Sequence, residues 1–394
     1  MYSIMFLLVL FVVGACLLCP SCQMSSKESA AVYNTELVEQ KKKTLPIDEH
    51  TYFFSRSIYY FEEEGKELLY FENTKKGQYE IIIYDIDAEV IAKRIGMHKQ
   101  GADGVPSVMG SRPLGSSSTF VLFQNNMSQI TLLDDEGKVL RKYPIKSPET
   151  PFIPFLPSSD FYTLGFMKDS VLYVAPLVAK PNMTKEDWRT TSLLFGLDLR
   201  TGDVDFVPLY YPSVFNHDVK NIAMGAEFSY DFNDCKNRLV CSFINYDSLM
   251  VCDDLCSVKW YDGKSRYLKE KRPKLIEASG GIQAIAEAKE EGFYYHVMYD
   301  KYRDVYYRFV EHPCELGENE GYMDDPKARE FSVIIFDKDF RIIGETKFPG
   351  NKYFIRMSFV GRDGLYISEN NLANPDFDED KLVFACFKLE EIKE

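Results

Sequence analysis

Residues 332–348 read SVIIFDKDFRIIGETKF: an apolar run closing on Asp337, a polar Lys338-Asp339 turn, then a second run beginning at Phe340. Two β-prone stretches around a short polar turn predict a β-hairpin. The same pattern recurs upstream. EIIIYD ends at Asp85 and is followed by AEVIAKRI from Ala88, while QITLLD ends at Asp134 and passes through Asp135-Glu136-Gly137 into KVLRKYPI. LLFGLD ends at Asp198 and passes through Arg200-Thr201-Gly202 into DVDFVPL, and SVKWYD ends at Asp262 and passes through Gly263-Lys264 into SRYLKEK. The five aspartates stand 49, 64, 64 and 75 residues apart. A hairpin repeating at such intervals, with two more strands between copies, is the sequence signature of a propeller blade.

The intervening strands are visible as TFVLFQ from Thr119, VLYVA from Val171, RLVCSF from Arg238, FYYHVMYD from Phe293, VYYRFVE from Val305 and LYIS from Leu365. Four strands per repeat place blades at 51–97, 98–145, 146–212, 213–272 and 273–348. The remainder, 349–394, holds three strands, and residues 31–46 (AVYNTELVEQKKKTLP) are expected to supply the fourth and close the ring. The expected fold is therefore all-β, a single six-bladed β-propeller over 31–394, with seven blades as the alternative if 273–348 splits. Helical periodicity is confined to a poor stretch at 284–291.

The chain opens MYSIMFLLVLFVVGACLLCPSC, and small Gly14 and Ala15 before Cys16 form the pattern that a lipoprotein signal peptidase reads. Residues 1–22 are expected to be a lipoprotein signal and the start of a tether, although Met1-Tyr2-Ser3 carries no basic residue. Cys16 is the expected lipid acceptor. Cys22 is the alternative, because polar Gln23, Ser25 and Ser26 follow it, but Pro20 counts against it. The expected partner is then a membrane, reached through a lipid anchor, and the expected location is the cell envelope at the outer membrane, with the periplasmic or surface face left open.

With 46 Lys+Arg against 60 Asp+Glu the net charge is −14, which disfavours nucleic acid as a partner. Aromatic content of 14% suits strands. Six cysteines lie beyond the leader. Cys235, Cys241, Cys252 and Cys256 cluster, so one disulfide is conceivable in an exported protein, but free thiols fit the spacing better and no zinc knuckle is formed.

Four segments carry a family likeness: GADGV from Gly101, YDKYRDVYYRF from Tyr299, FSVIIFDKDFRIIGET from Phe331 and NPDFDEDKLVFACFKL from Asn374. On these the chain resembles a Bacteroidetes lipoprotein family of unknown function related to TolB-like six-bladed propellers. The resemblance implies an envelope lipoprotein with a propeller fold and supplies no catalytic residues. The glycine-rich segment departs from the family's commoner Gly-Pro form at Ala102 and Asp103.

The five histidines form no metal or catalytic motif, and neither a nucleophile elbow nor a phosphate loop occurs. No catalytic residue, metal ligand or cofactor is assigned. Asp376-x-Asp378-x-Asp380 resembles the start of a calcium loop, but Lys381 and Phe387 stand where an EF-hand needs Gly and Glu. Five residues are ligand-binding candidates. Asp103 sits on a loop between blades, Asp300 and Arg303 on a Tyr-rich hairpin end, and Glu369 and Asn371 on a polar loop near the C-terminus. Each has an ordinary structural reading beside it: a tight turn, a packed hairpin end, or a solvated loop. The acidic stretch 311–329 could cover one face. The expected function is a binding or scaffold module for a protein, peptide or glycan. The alternative is an extracytoplasmic hydrolase or lyase using carboxylates and tyrosines at the channel mouth, and a third reading is a purely structural lipoprotein.

Overall fold

The structure, a computed structural model, describes residues 31–393 except 76–78, 102, 106–107, 125–128, 146–155, 158–162, 164, 178–183, 216–222, 225–226, 270–275, 278–290 and 315–328. The leader with Cys16 and Cys22, most of the helical candidate at 284–291 and most of the acidic stretch 311–329 lie outside the described residues.

Four sheets are four-stranded antiparallel meanders. The first comprises Ile58–Glu63, Lys66–Asn73, Glu80–Asp85 and Val90–Gly96, and the second Val108–Pro113, Thr119–Gln124, Gln129–Asp134 and Val139–Pro144. The third comprises Phe166–Lys168, Val171–Val174, Phe195–Asp198 and Val204–Phe206, and the fourth Phe228–Asn233, Arg238–Phe243, Ser248–Asp253 and Ser257–Asp262.

The recurring aspartate has a local cause. At the end of the third strand its carboxylate takes backbone N–H groups from the turn, which fixes the hairpin. Asp134 Oδ1 accepts from Glu136 N at 3.0 Å and Lys138 N at 2.9 Å; Asp337 Oδ1 accepts from Asp339 N and Arg341 N, both at 2.9 Å. Asp85 accepts from Ala88 N at 2.9 Å and Asp198 from Arg200 N at 2.7 Å.

The hairpin expected at Asp262 is displaced. The third and fourth strands of that sheet are Ser248–Asp253 and Ser257–Asp262, joined through Asp254 and Leu255 at φ 56° and 57°. Asp253 is thus the equivalent aspartate, and SRYLKEK after Asp262 forms no strand among its described residues. Both SLMVCD and SVKWYD end in Asp after an apolar-rich run, so the repeat could be placed on either.

Eight of the remaining strands correct the expected propeller. Rather than two further separate blades, they form one eight-stranded sheet in the spatial order 293–300, 305–311, 331–336, 342–348, 35–46, 381–391, 365–368 and 354–360. The N-terminal strand Thr35–Pro46 joins its halves. One edge runs antiparallel to Lys381–Glu391, from Thr35↔Glu391 to Pro46↔Lys381, with an irregularity between Glu39 and Lys41. Its other edge bridges in parallel to Ile342–Phe348 at Thr35↔Gly344. Asn34 N donates to Ile343 O at 3.0 Å and Leu37 N to Thr346 Oγ1 at 2.8 Å, extending that contact. The described residues are therefore all-β, with four four-stranded sheets, two short two-stranded ones (Leu156–Pro157 with Pro176–Leu177, Ala223–Met224 with Ile276–Glu277) and one eight-stranded sheet whose end strands, 293–300 and 354–360, come back into contact. It is neither a six- nor a seven-bladed propeller. The expectation treated residues 31–46 as a closing strand with one partner, whereas glycine at 344 lets a second strand approach.

Apolar clusters fill the spaces between neighbouring sheets. Tyr70 and Ile81 of the first sheet meet Phe120 and Leu122 of the second. Val121 and Phe123 meet Leu172 and Phe195, and Phe166 meets Tyr230 and Phe243. A helix not anticipated from sequence, Lys185–Thr190, is closed by a capping box between Thr184 and Asp187 and buries Trp188 against Tyr211 and Phe215. Its six residues are too few to show helical periodicity.

Candidate ligand cavity between the sheets

The first strands of the sheets gather together: Ile58–Glu63 touches Val108–Pro113 and Phe354–Val360, and Phe228–Asn233 touches Phe293–Asp300. Between them lies a cavity of about 210 Å³ lined from the first to the fourth sheet and from the eight-stranded one. Its apolar wall includes Phe166, Met167, Phe232, Val297 and Met298, and its polar groups are Arg112, Asp231 and Asp234, with Tyr59 beside Arg112.

Arg112 lies on Val108–Pro113 just after a register shift between Val108 and Gly110, a device that re-aims side chains. The residue is only 4% exposed. Its Nε donates to Pro113 O at 3.2 Å, and the guanidinium lies 4.8 Å from the Tyr59 ring centroid. Among the described residues its two Nη nitrogens have no hydrogen-bond or ion-pair acceptor. The Nη atoms are not sealed in protein but open to the cavity, where they are free to pair with an anion.

Asp231 lies at the middle of Phe228–Asn233 and keeps part of its surface open. Its Oδ2 accepts from Tyr299 N at 2.7 Å and its Oδ1 from Phe232 N at 2.8 Å, so the carboxylate is held in place and retains free lone pairs. Burial pushes its carboxyl up to about 6; those two N–H groups and Arg112 oppose the rise, and Asp234 adds to it. Burial also raises Asp234, against the pull of Arg112 and Lys301.

The five sequence candidates lie elsewhere, and none lines this cavity. Asp103 Oδ1 accepts from Val139 N at 3.1 Å, tying its loop to the second sheet. Asp300 is fully buried; it accepts from Tyr302 N at 3.0 Å, Arg303 N at 3.1 Å and Tyr307 Oη at 2.9 Å, and pairs with Arg303 Nε. Arg303 in turn donates to Arg362 O and Gly361 O, both at 2.9 Å. The structure thus brings Asp300 and Arg303 together as a strut across the eight-stranded sheet. Glu369 meets Lys42 Nζ at 2.8 Å, and its buried Oε1 lies 3.3 Å from Lys352 Nζ without hydrogen-bond geometry. Asn371 Nδ2 donates to Tyr353 O at 3.0 Å and its Oδ1 accepts from Ala373 N at 2.9 Å. Sequence reasoning missed Arg112 and Asp231. The available signal was a single charge inside each of two strands, VMGSRP and FSYDFN.

One buried cluster has the residue types of a hydrolase. Ser332 Oγ donates to Glu345 Oε1 at 2.7 Å, Ser265 Oγ donates to the same oxygen at 2.6 Å, and His312 Nε2 lies 2.9 Å from Ser332 Oγ. The serine proton goes to the carboxylate, so His312 donates to the serine and cannot act as its base. All of these side chains are sealed from solvent. Among the described residues no cluster suited to a metal occurs, and Cys235, Cys241, Cys252, Cys256, Cys314 and Cys386 carry free thiols.

Fold and cavity define an all-β, propeller-like protein with a small polar-ended pocket where its sheets converge. The chain belongs to the family described as Domain of unknown function (DUF4221), whose family model matches residues 34–347. It is similar to a crystal structure of a DUF4221 member from Bacteroides vulgatus, at 50% identity over 91% of this chain and 99% of that one, with a TM-score of 0.88. It is also similar to a Bacteroides fragilis protein carried under a provisional description as exported, at 8% identity over 92% and 98% of the two chains and a TM-score of 0.56, a likeness of fold alone. Among curated proteins none matches.

Proposed function

We propose that this protein is an exported, lipid-anchored binding module that holds a ligand in the cavity between Arg112 and Asp231. One observation carries this reading: Arg112, a largely buried residue, lines the cavity, and among the described residues neither Nη has an acceptor, so a ligand anion would find a pre-placed cationic partner there. The leader supports export and anchoring, through Cys16 or alternatively Cys22, and no described helix is long and apolar enough to cross a membrane. In this reading Asp300, Arg303, Asp103, Glu369 and Asn371 support outer surfaces where a protein or glycan partner would dock.

The test is native mass spectrometry of protein purified from its own envelope. A co-purifying small molecule present in the wild type and absent from a folded Arg112→Met variant is expected. Its absence from both would overturn the reading. Labelling with a radioactive fatty acid tests the anchor: incorporation should vanish in Cys16→Ala, and loss in Cys22→Ala instead would move the site. Incorporation in neither wild type nor variant would remove the anchor altogether.

The second reading, a hydrolase or lyase, draws on Asp231, whose carboxyl at about 6 is poised for proton transfer near neutral pH. Among the described residues the cavity wall holds no Ser, Cys, His or Lys, which favours binding over turnover.

A further inference from the structure

We propose that the cavity takes a compact zwitterion, an α-amino acid with an apolar side chain, its carboxylate on Arg112 and its ammonium on Asp231 and Asp234. This rests on the reading of the cavity as a ligand site and names the class of ligand. The cavity carries opposite charges that do not touch, since Arg112 has no carboxylate within 4.0 Å among the described residues, yet it feels both Asp231 and Asp234. A molecule bearing both charges satisfies both ends. A simple anion would meet the two aspartates, and a simple cation would meet Arg112.

Size points the same way. At about 210 Å³ the space is below the roughly 300–1,000 Å³ typical of drug-sized ligands. The body of the ligand would rest on Met167, Val297 and Met298, adaptable apolar surface. A sugar is disfavoured because the aromatic faces are already engaged. Phe166 stacks on Phe232 at 4.1 Å and on Tyr173 at 5.1 Å, and Arg112 covers Tyr59.

Calorimetry on the full-length protein tests this with L-leucine, L-phenylalanine, L-phenylalaninamide, N-acetyl-L-phenylalanine and glucose. At least one free amino acid should bind, and deleting either charge should weaken binding about ten- to a hundredfold. Arg112→Met should abolish the preference for the acid over the amide. Asp231→Asn with Asp234→Asn should abolish the preference for the free amine over the acetylated one. Met298→Trp, which leaves all three charges in place, should block binding by filling the space. Binding indifferent to both charges, or Arg112-dependent binding of glucose alone, overturns the zwitterion while leaving the cavity a ligand site. No binding by any probe, with no co-purifying molecule in native mass spectrometry, overturns both.

Discussion

Gly344 faces Thr35 so closely that a Cβ on it would lie 2.2 Å from the Thr35 carbonyl oxygen and 2.7 Å from its hydroxyl. The carbonyl belongs to backbone paired on both edges and the hydroxyl donates to Ile343 O at 2.9 Å, so neither can retreat cheaply. Gly344→Ala should cost about 1–3 kcal/mol, as overpacking does, and should loosen the join between the two halves of the eight-stranded sheet. Urea denaturation of the variant against wild type measures it. An unchanged midpoint would show that the bridge is dispensable.

Removing residues 31–46 should destabilise the whole protein. The strand pairs along its full length with Lys381–Glu391 and buries Leu37 and Leu45, each worth roughly 1.5–3 kcal/mol. A chain beginning at residue 47 is expected to melt well below one beginning at residue 31, and equal melting temperatures would contradict this role.

Arg308 is a second irreplaceable lock. It is fully buried, lies 3.5 Å from the Tyr294 ring centroid and donates to Ser242 Oγ at 2.8 Å, Asp247 O at 2.7 Å, Gly263 O at 2.9 Å and Tyr246 O at 2.6 Å. These acceptors all belong to the fourth sheet and the loops at its edge, so one side chain from the eight-stranded sheet clamps its neighbour. Burial lowers its pKa to about 10, leaving it charged at neutral pH. Arg308→Met should cost roughly 3–5 kcal/mol by stranding those oxygens, read as a shift in the urea midpoint.

Asp231 gives a pH signature. Its folded carboxyl titrates at about 6 against an ordinary 3.8, so protonation favours the folded state. That contribution is complete below about 4 and is lost as pH rises through 6, a change of up to roughly 3 kcal/mol. Buried His296 and His312, lowered to about 3 and about 4, act oppositely and remove stability as pH falls below their ordinary 6.5. The comparison therefore needs Asp231→Asn: its melting temperature should rise relative to wild type between pH 4 and pH 7. A constant difference would show that Asp231 titrates normally.

Thiol labelling checks the packing of the fourth sheet. In a chain starting at residue 31, exposed Cys235 and Cys256 should react quickly with a thiol reagent. Buried Cys241, Cys252 and Cys386 should react only on unfolding, and burial pushes Cys252 up to about 12.

The strands and hairpins were legible in sequence because apolar runs end in aspartates, four of which (Asp85, Asp134, Asp198 and Asp337) cap their own turns, a local code readable one repeat at a time. The sheet count was not. It depends on Thr35 meeting Gly344, a contact across some three hundred residues that leaves no periodicity behind. The repeat at Asp253 was misplaced to Asp262 because successive strands carry the same ending. Site reading followed loops, where polar residues cluster; Asp300, Arg303 and Asn371 proved to be engaged within the chain. The cavity instead uses lone charges within strands, and their convergence is set by how the sheets gather.

Because Thr35 pairs with Glu391, the strand 35–46 cannot complete its antiparallel edge until roughly 350 residues after it have been made. Such sequence-distant pairing is slow to form and leaves an unpaired edge waiting meanwhile. A nascent chain of this protein therefore carries an open strand edge until residues 381–391 emerge, and a chain cut before them would have no seam to zip.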